Sequence, residues 1–147
     1  MKRVQQPKVH SERGQALVEF ALSATLFLFL VLGVAQLALL GRVQLVLTHA
    51  SREGVRYASV RGVATSPAEA QQADALIKNY VLARAAALRT PPLQESDITI
   101  TPSGVARPSN SSITVSVVYR AQATVPLLAP LFPGGIPLGA SSTTRIE

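Results

Sequence analysis

The strongest feature of the hydrophobic pattern is one long run without a charged side chain, from Phe20 to Gly41. As a helix its roughly 22 residues would extend about 33 Å, enough to cross a hydrocarbon core of about 30 Å. Only Ser23, Thr25 and Gln36 interrupt it, whereas a soluble helix of this length normally keeps a polar face. The pattern therefore predicts a transmembrane helix, with a fully buried soluble helix as the alternative.

The helical pattern continues beyond this run, but with a polar side. Apolar or small residues recur every three or four positions from Val43 to Ala58. Arginines occupy the other faces, at Arg42, Arg52, Arg56 and Arg61. We therefore expect a single helix from about Gln15 to Val60, apolar all round in its first half and amphipathic in its second.

The second half of the chain predicts a small mixed domain. Residues 61–66 break the first helix, and Ser66-Pro67-Ala68-Glu69 is typical of a helix start, with a capping box and proline at the first position. A second amphipathic helix is expected to end near residue 88. Its core stripe would comprise Ala73, Leu76, Ile77, Tyr80, Val81 and Leu88.

Alternating apolar residues predict three strands, at 98–101, 113–125 and about 138–146. The prolines and glycines of residues 126–137 favour irregular structure there. An antiparallel sheet of three strands packed on the second helix would complete the domain. The fold class expected is α+β, with a long N-terminal helix, a second amphipathic helix and a small antiparallel sheet.

Charge bears on membrane topology more than on ligand binding. The formal net charge is +6, and four cations, Lys2, Arg3, Lys8 and Arg13, precede the apolar run with one anion, Glu12. A basic segment before an apolar run is typical of a cytoplasmic end. The arginines beyond the run nearly balance this signal. Size then decides the orientation, because a short basic tail stays inside easily and the larger C-terminal part can be carried across. We therefore expect a cytoplasmic N-terminus and an extracytoplasmic domain.

The post-membrane arginines allow three interpretations: a solvated helix face, contact with lipid headgroups, or contact with nucleic acid. We favour the solvated face, because Tyr57 is the one nearby aromatic that could stack on a base. No nucleic-acid partner is expected.

Motifs for catalysis are missing from the sequence. There is no cysteine, which excludes disulfides and thiolate ligands or nucleophiles. His10 and His49 have no carboxylate or thiol at metal-ligand spacing, and no glycine-rich phosphate loop occurs. The expectation is a protein that is not an enzyme and that uses no metal and no cofactor.

A short motif marks the start of the apolar run. The stretch Arg13-Gly14-Gln15-Ala16-Leu17-Val18-Glu19-Phe20 resembles the processing site of type IV pilin-like precursors, which have a basic leader ending in glycine and then an apolar helix with glutamate at its fifth position. Counted from Gln15, Glu19 is fifth. More narrowly, the chain resembles the TadE-like minor pseudopilins of the tight-adherence (Flp) pilus system. The segment Ala50, Arg52, Gly54, Arg56 and Tyr57 resembles the alanine- and arginine-rich part of that family beyond the membrane helix, and residues 141–147 resemble its C-terminal end.

The resemblance implies a structural subunit of a bacterial pilus, cleaved by a prepilin peptidase between Gly14 and Gln15. It also implies association with other pilin or pseudopilin subunits, with an inner-membrane assembly platform and with the lipid bilayer. The corresponding organisation is a leader at 1–14, a transmembrane and assembly helix at 15–41, an amphipathic continuation at 42–62 and a head domain at 63–147. Removing the leader would lower the formal charge from +6 to +3.

The physical chemistry of the motif suggests how Glu19 could act. Cleavage would create an α-amine at Gln15 with a pKa near 8, mostly cationic at neutral pH. Gln15 and Glu19 lie one helical turn apart on the same face. A carboxylate in hydrocarbon costs about 2.5 kcal/mol or more without a partner. Glu19 could therefore pair with its own amine or with that of a neighbouring subunit, which would specify assembly.

Two other fates of the apolar run stay open. The chain could remain a single-pass anchor whose domain binds a partner. Alternatively, Gly33-Val34-Ala35 has the small residues of a signal-peptidase site, which would release a secreted β-rich domain beginning at Gln36.

Overall fold

A computed structural model describes residues 9–88, 91–126 and 129–147, with side chains from Gly14 onward. The leader cations Lys2, Arg3 and Lys8 lie outside the described residues, as does the side chain of Arg13. The elements in chain order are α1 (Val9–Arg61), α2 (Pro67–Arg84), a 3₁₀ turn (Glu95–Asp97), β1 (Ile98–Thr101), β2 (Ser112–Ala121), a second 3₁₀ turn (Ala129–Leu131) and β3 (Ile136–Arg145). The expected α+β class is confirmed.

Helix α1 has two halves with different surroundings. It begins at Val9, earlier than the expected Gln15, and ends at Arg61, where the N–H of Gly62 still bonds to the carbonyl of Ala58. From Gly14 to Ala35 its side chains are exposed or, at residues 32 and 33, half-buried. From Gln36 onward one face packs into the head domain. The long helix is therefore both a free rod and a part of the head.

The sheet has three antiparallel strands, as predicted, and their order is β1-β2-β3. Strand β2 pairs with both neighbours, and its ends lie opposite the ends of β3, with Ser112 beside Arg145 and Ala121 beside Ile136. Alternate β2 residues are buried, namely Ile113, Val115, Val117, Tyr119 and Ala121. This is the apolar face that the alternation predicted.

The sheet packs on α1, and the expectation that it would pack on the second helix is wrong. Strands β2 and β3 both contact α1 extensively, and α2 also contacts chiefly α1 rather than the strands. Small residues on α1 explain this arrangement. Ala50, Gly54 and Ala58 are buried, and an added methyl group at Gly54 would meet side-chain atoms of Val81 in α2 and Val115 in β2. The long helix is thus the centre of the head domain.

Helix α2 is shorter than predicted and faces the core differently. It ends at Arg84 rather than near residue 88, and Leu76 of the expected core stripe is exposed. Ala73, Ile77 and Val81 of that stripe are buried as expected, and the buried face also includes Ala70 and Asp74, whose carboxylate is paired with Arg107. Tyr80 is half-buried.

The expected capping box at the start of α2 is formed in part. The Ser66 hydroxyl accepts a hydrogen bond from the Glu69 N–H at 3.3 Å. The Glu69 carboxylate accepts from the N–H and hydroxyl of Thr65, at 2.8 and 2.7 Å, rather than from the Ser66 N–H. These bonds to Thr65 lower the pKa of Glu69, because they stabilise the ionised carboxylate.

A buried ion pair joins α2 to the loop after β1. Arg107 is fully buried, and its Nη1 donates to Asp74 Oδ1 at 2.6 Å and to the Pro102 carbonyl at 3.0 Å. Asp74 Oδ2 also accepts from the Ser103 hydroxyl and the Gly104 N–H. Because a buried charge needs a partner, this pair ties the loop to the helix.

Candidate assembly site on the N-terminal helix

The free half of α1 places Glu19 one helical turn from Gln15, as the spacing predicted. The Gln15 side-chain amide donates to Glu19 Oε1 at 3.1 Å, and both residues are exposed. Among the described side chains and the backbone outside this stretch of helix, no atom lies within 4 Å of the position that a methyl group on Gly14 would take. The predicted scissile bond and the predicted pairing carboxylate are therefore both accessible and close together.

The surroundings of Glu19 are mostly apolar, although Gln15 and Ser23 lie one helical turn away on its own face. It is the one charged residue between Arg13 and Arg42. Exposed side chains around it and beyond it include Leu17, Val18, Phe20, Leu22, Leu26 and Phe27. Such a surface is unfavourable in water. Within the described part of the chain, α1 is the one helix long and apolar enough to cross a membrane, judged by length and composition, which is consistent with a membrane anchor.

The first buried residue along the described chain is Gln36, and it marks where the head domain meets the helix. Its Oε1 accepts hydrogen bonds from the backbone N–H groups of Thr124 and Val125, at 3.1 and 3.2 Å. The chain leaves β2 at Ala121 to make these bonds, so the strand is shorter than the predicted 113–125. The Gln36 Nε2 is buried and makes no hydrogen bond to the described residues.

The family-like segment beyond the apolar run separates into packing and solvent positions. Ala50 and Gly54 are buried in the head core, whereas Arg52 and Arg56 are exposed. Tyr57 stacks on Tyr80 of α2, with ring centroids 4.5 Å apart. The alanine and glycine therefore serve close packing of helix and sheet, and the two arginines lie on the solvated face that we favoured.

A polar cluster extends from this stack across the surface of α2. The Arg84 guanidinium lies 4.9 Å from the Tyr80 ring centroid and donates to the Tyr80 hydroxyl at 2.7 Å. That hydrogen bond raises the pKa of Arg84. The Tyr80 hydroxyl in turn donates to Glu53 at 3.5 Å, so α1 and α2 are joined by a chain of polar contacts beside the stacked rings.

The part of the chain covered by the structure contains no group of three or more metal-ligating side chains. The sequence-based expectations that the protein is not an enzyme and uses no cofactor stay predictions. The residues that come together at the helix start are an amide and a carboxylate, joined by one hydrogen bond on an exposed and otherwise mostly apolar helix.

The comparisons agree with the N-terminal motif. The model of the TadE-like protein family matches residues 14–56, which confirms the resemblance over this segment and suggests involvement in a tight-adherence pilus system. The match includes Gly14, Gln15 and Glu19 and, further on, four of the five family-like positions, Ala50, Arg52, Gly54 and Arg56; it does not extend to Tyr57 or to residues 141–147. No curated protein and no solved structure matches the chain.

Two features of this region were missed by sequence reasoning. Gln36 was noticed as an interruption of the apolar run, but its contact with the β2–β3 loop was not expected. Asp74 lies between the inward positions Ala70 and Ile77, at helical spacing. That placement of a carboxylate on a buried face was a usable signal, whereas its partner Arg107 lies in a loop with no periodic pattern.

Proposed function

We propose that this protein is a minor pseudopilin that takes part in assembling a tight-adherence pilus at the cytoplasmic membrane, after cleavage between Gly14 and Gln15 by a prepilin peptidase. The N-terminus is cytoplasmic and the head domain is extracytoplasmic. The observation that carries the proposal is the exposed Glu19, alone in an apolar helix and one turn from the proposed new N-terminus.

The position of the head domain supports the placement of Glu19 inside the hydrocarbon core of the bilayer. Because one face of α1 packs on the head from Gln36 onward, we place the extracytoplasmic edge of the hydrocarbon near that residue, although the apolar run itself continues to Gly41. A hydrocarbon core of about 30 Å takes about 20 residues, which are residues 16–35. Glu19 then lies about 4.5 Å inside the hydrocarbon, three residues from its cytoplasmic edge. At the headgroup boundary the carboxylate would be solvated, whereas at this depth it needs a partner.

Cleavage supplies that partner. The new α-amine of Gln15 is mostly cationic at neutral pH and lies one turn from the carboxylate. Pairing within one helix and pairing between two helices have the same chemistry. Between helices the pair forms only when the two subunits are in register, since a small axial shift moves the amine away from the carboxylate. One ion pair can therefore set the register of packed helices.

The partners that follow from this function are other pilin or pseudopilin subunits, the prepilin peptidase, the inner-membrane assembly platform and the lipid bilayer. The protein acts as a structural subunit, not as an enzyme, and needs neither cofactor nor nucleic acid. Assembly would remove the exposed apolar side chains of α1 from lipid and pack them against other helices. The head domain would stay outside this bundle, held on α1 from Gln36 outward.

The experiment compares Glu19→Ala with Gln15→Ala in cells that express the complete pilus system. Glu19→Ala removes the charge, whereas Gln15→Ala removes the 3.1 Å hydrogen bond and keeps both the carboxylate and the α-amine. We expect both variants to be cleaved, and Glu19→Ala alone to be lost from complexes with the other subunits after crosslinking. Normal incorporation of Glu19→Ala would refute charge pairing.

Two other functions differ in the fate of the N-terminus. A single-pass anchored interaction protein keeps its leader, and a secreted domain cleaved by signal peptidase begins at Gln36. The second fate fits less well, because cleavage after Ala35 severs the helix immediately before the side chain that holds Thr124 and Val125 to it.

A further inference from the structure

The end of the head domain nearest the free half of α1 carries an apolar loop. The sequence has no charged residue between Arg120 and Arg145. In the described part of this loop Leu131 and Phe132 are exposed, by 68% and 44%. Of the four phenylalanines, the other three lie in the apolar run at residues 20–29. Two large apolar side chains side by side on a surface loop favour contact with an apolar partner.

The position of the loop follows from the way the β2–β3 hairpin lies along α1. At the far end of the head the N–H of Glu147 bonds to the carbonyl of Ser59. Nearer the free half of the helix, the Gln44 side chain donates to the carbonyl of Gly139 at 2.8 Å. The chain between β2 and β3 then reaches Gln36 through Thr124 and Val125. The loop that connects the two strands is thus the part of the sheet closest to the proposed bilayer.

The loop itself extends beyond the paired ends of the strands. Ala121 and Ile136 are the last pair of the ladder, and the 3₁₀ turn Ala129–Leu131 lies between them in the chain. The N–H of Phe132 bonds to the carbonyl of Ala129 at 3.1 Å, and the N–H of Gly135 bonds to the carbonyl of Phe132 at 3.1 Å. These bonds hold Leu131 and Phe132 in a compact turn rather than on an extended strand.

Two exposed arginines lie near this end of the head domain. Arg42 is exposed and lies six residues beyond Gln36, about 9 Å along the helix. Arg120 is exposed at the end of β2, and its guanidinium donates to the Gly134 carbonyl of the same loop at 3.4 Å. An apolar loop beside Arg120, with Arg42 about 9 Å beyond Gln36 along the helix, matches the order of acyl chains and phosphates in a lipid leaflet.

We propose that Leu131 and Phe132 insert into the extracytoplasmic leaflet, at the boundary between acyl chains and headgroups, as a second membrane contact beside α1. The inference rests on the membrane anchorage in the proposed function. A single helix rotates freely about its axis in a bilayer, whereas a helix with a second contact on one side does not. The loop therefore sets which way Glu19 faces when a neighbouring subunit approaches.

The absence of tryptophan from the chain allows a direct test with single-tryptophan variants of the full-length protein. Phe132→Trp places the reporter in the loop. Phe27→Trp places it in the apolar run, and Val105→Trp places it on an exposed loop at the far end of the head, beside the Ala64–Arg107 bridge. Each variant is reconstituted at one chain per nanodisc of phosphatidylcholine and phosphatidylglycerol, and its fluorescence is measured with lipids brominated near the headgroup or deep in the acyl chain.

We expect Phe132→Trp to be quenched several-fold more than Val105→Trp, and more by the shallow bromines than by the deep ones. Phe27→Trp should be quenched more by the deep bromines. If Phe27→Trp is quenched while Phe132→Trp is quenched no more than Val105→Trp, the contact of the loop with lipid is refuted and membrane anchorage by α1 is supported. If Phe27→Trp is not quenched, the membrane anchorage itself is wrong. If emission from Phe132→Trp shifts to the blue only when several chains share a disc, the loop binds a second copy of the chain, and the lipid contact is refuted.

Discussion

Replacing Asp74 with alanine leaves the guanidinium of Arg107 without a charged partner in the interior of the head. The guanidinium is fully buried, and the pair it loses is a 2.6 Å contact. Its remaining acceptors are the carbonyls of Pro102 and Ala70, while its Nε already has none. Since neither carbonyl is charged, most of the compensation for burying Arg107 is lost.

The loss of unfolding free energy expected for Asp74→Ala follows from what is known of comparable buried ion pairs. Removing one member costs about 3–5 kcal/mol, because the other charge stays buried and unpaired. Loss of the hydrogen bonds from Ser103 and Gly104 to Asp74 adds less, since these groups are partly solvated. A typical domain is stable by about 5–15 kcal/mol, so Asp74→Ala should remove a large part of the stability of the head. The double variant Asp74→Leu/Arg107→Met should regain most of it, since it removes both charges.

The assay is urea unfolding of the full-length chain in detergent, followed by near-ultraviolet circular dichroism. All three tyrosines, Tyr57, Tyr80 and Tyr119, lie in the head, so the tyrosine band, at longer wavelength than the phenylalanine bands of the apolar helix, reports the head. A cost below about 1 kcal/mol for Asp74→Ala, the value for an exposed pair, would show that the pair is solvated. A double variant as unstable as Asp74→Ala would show that the charges themselves are not the cause.

Three further predictions concern other contacts. Gly54→Ala should destabilise the head by about 1–3 kcal/mol, because the added methyl group would clash with Val81. The control Gly41→Ala, whose methyl group meets no described atom within 4 Å, should stabilise α1 by about 0.5–1 kcal/mol. Equal unfolding midpoints for the two variants would contradict the close packing at Gly54. Gln36→Leu should speed hydrogen exchange at the two loop amides that bond to it, and unchanged exchange would mean that the loop is held otherwise. Hydrogen bonding lowers the pKa of Glu69 in the folded state below 4.5, so the stability that its carboxylate contributes is present above pH 4.5 and is lost as the pH falls through the folded pKa. The difference in unfolding free energy between wild type and Glu69→Gln should therefore shrink over that pH range. A constant difference would show that these hydrogen bonds do not stabilise the head.

Local patterns predicted the elements of the fold well. The alternation of Ile113, Val115 and Val117 indicated a strand with one buried face, and the structure has it. The antiparallel sheet of three strands was also predicted, and its order agrees with the tendency of strands joined by short connections to be neighbours. The start of α2 at Pro67 followed from its capping signal. Each of these features depends on residues that are close in the sequence.

Contacts between distant residues were not predicted. The packing of the sheet on α1 depends on the fit of Gly54 between Val81 and Val115, and no periodicity shows which of two amphipathic helices a sheet will choose. The pairing of Gln36 with residues 124 and 125 shortened β2 in the same way, because tertiary hydrogen bonds replaced those of the ladder. At the candidate site the sequence spacing of Gln15 and Glu19 was enough to predict their proximity, because the contact lies within one helical turn.

The central claim is that the apolar helix is stored in the membrane and then cut at Gly14. The most direct measurement is the N-terminal residue of the protein purified from membranes of cells that express the prepilin peptidase, determined by mass spectrometry. We expect a chain that begins at Gln15, and an uncleaved chain in cells that lack the peptidase. An uncleaved leader in both strains, or a chain that begins at Gln36, would contradict this claim.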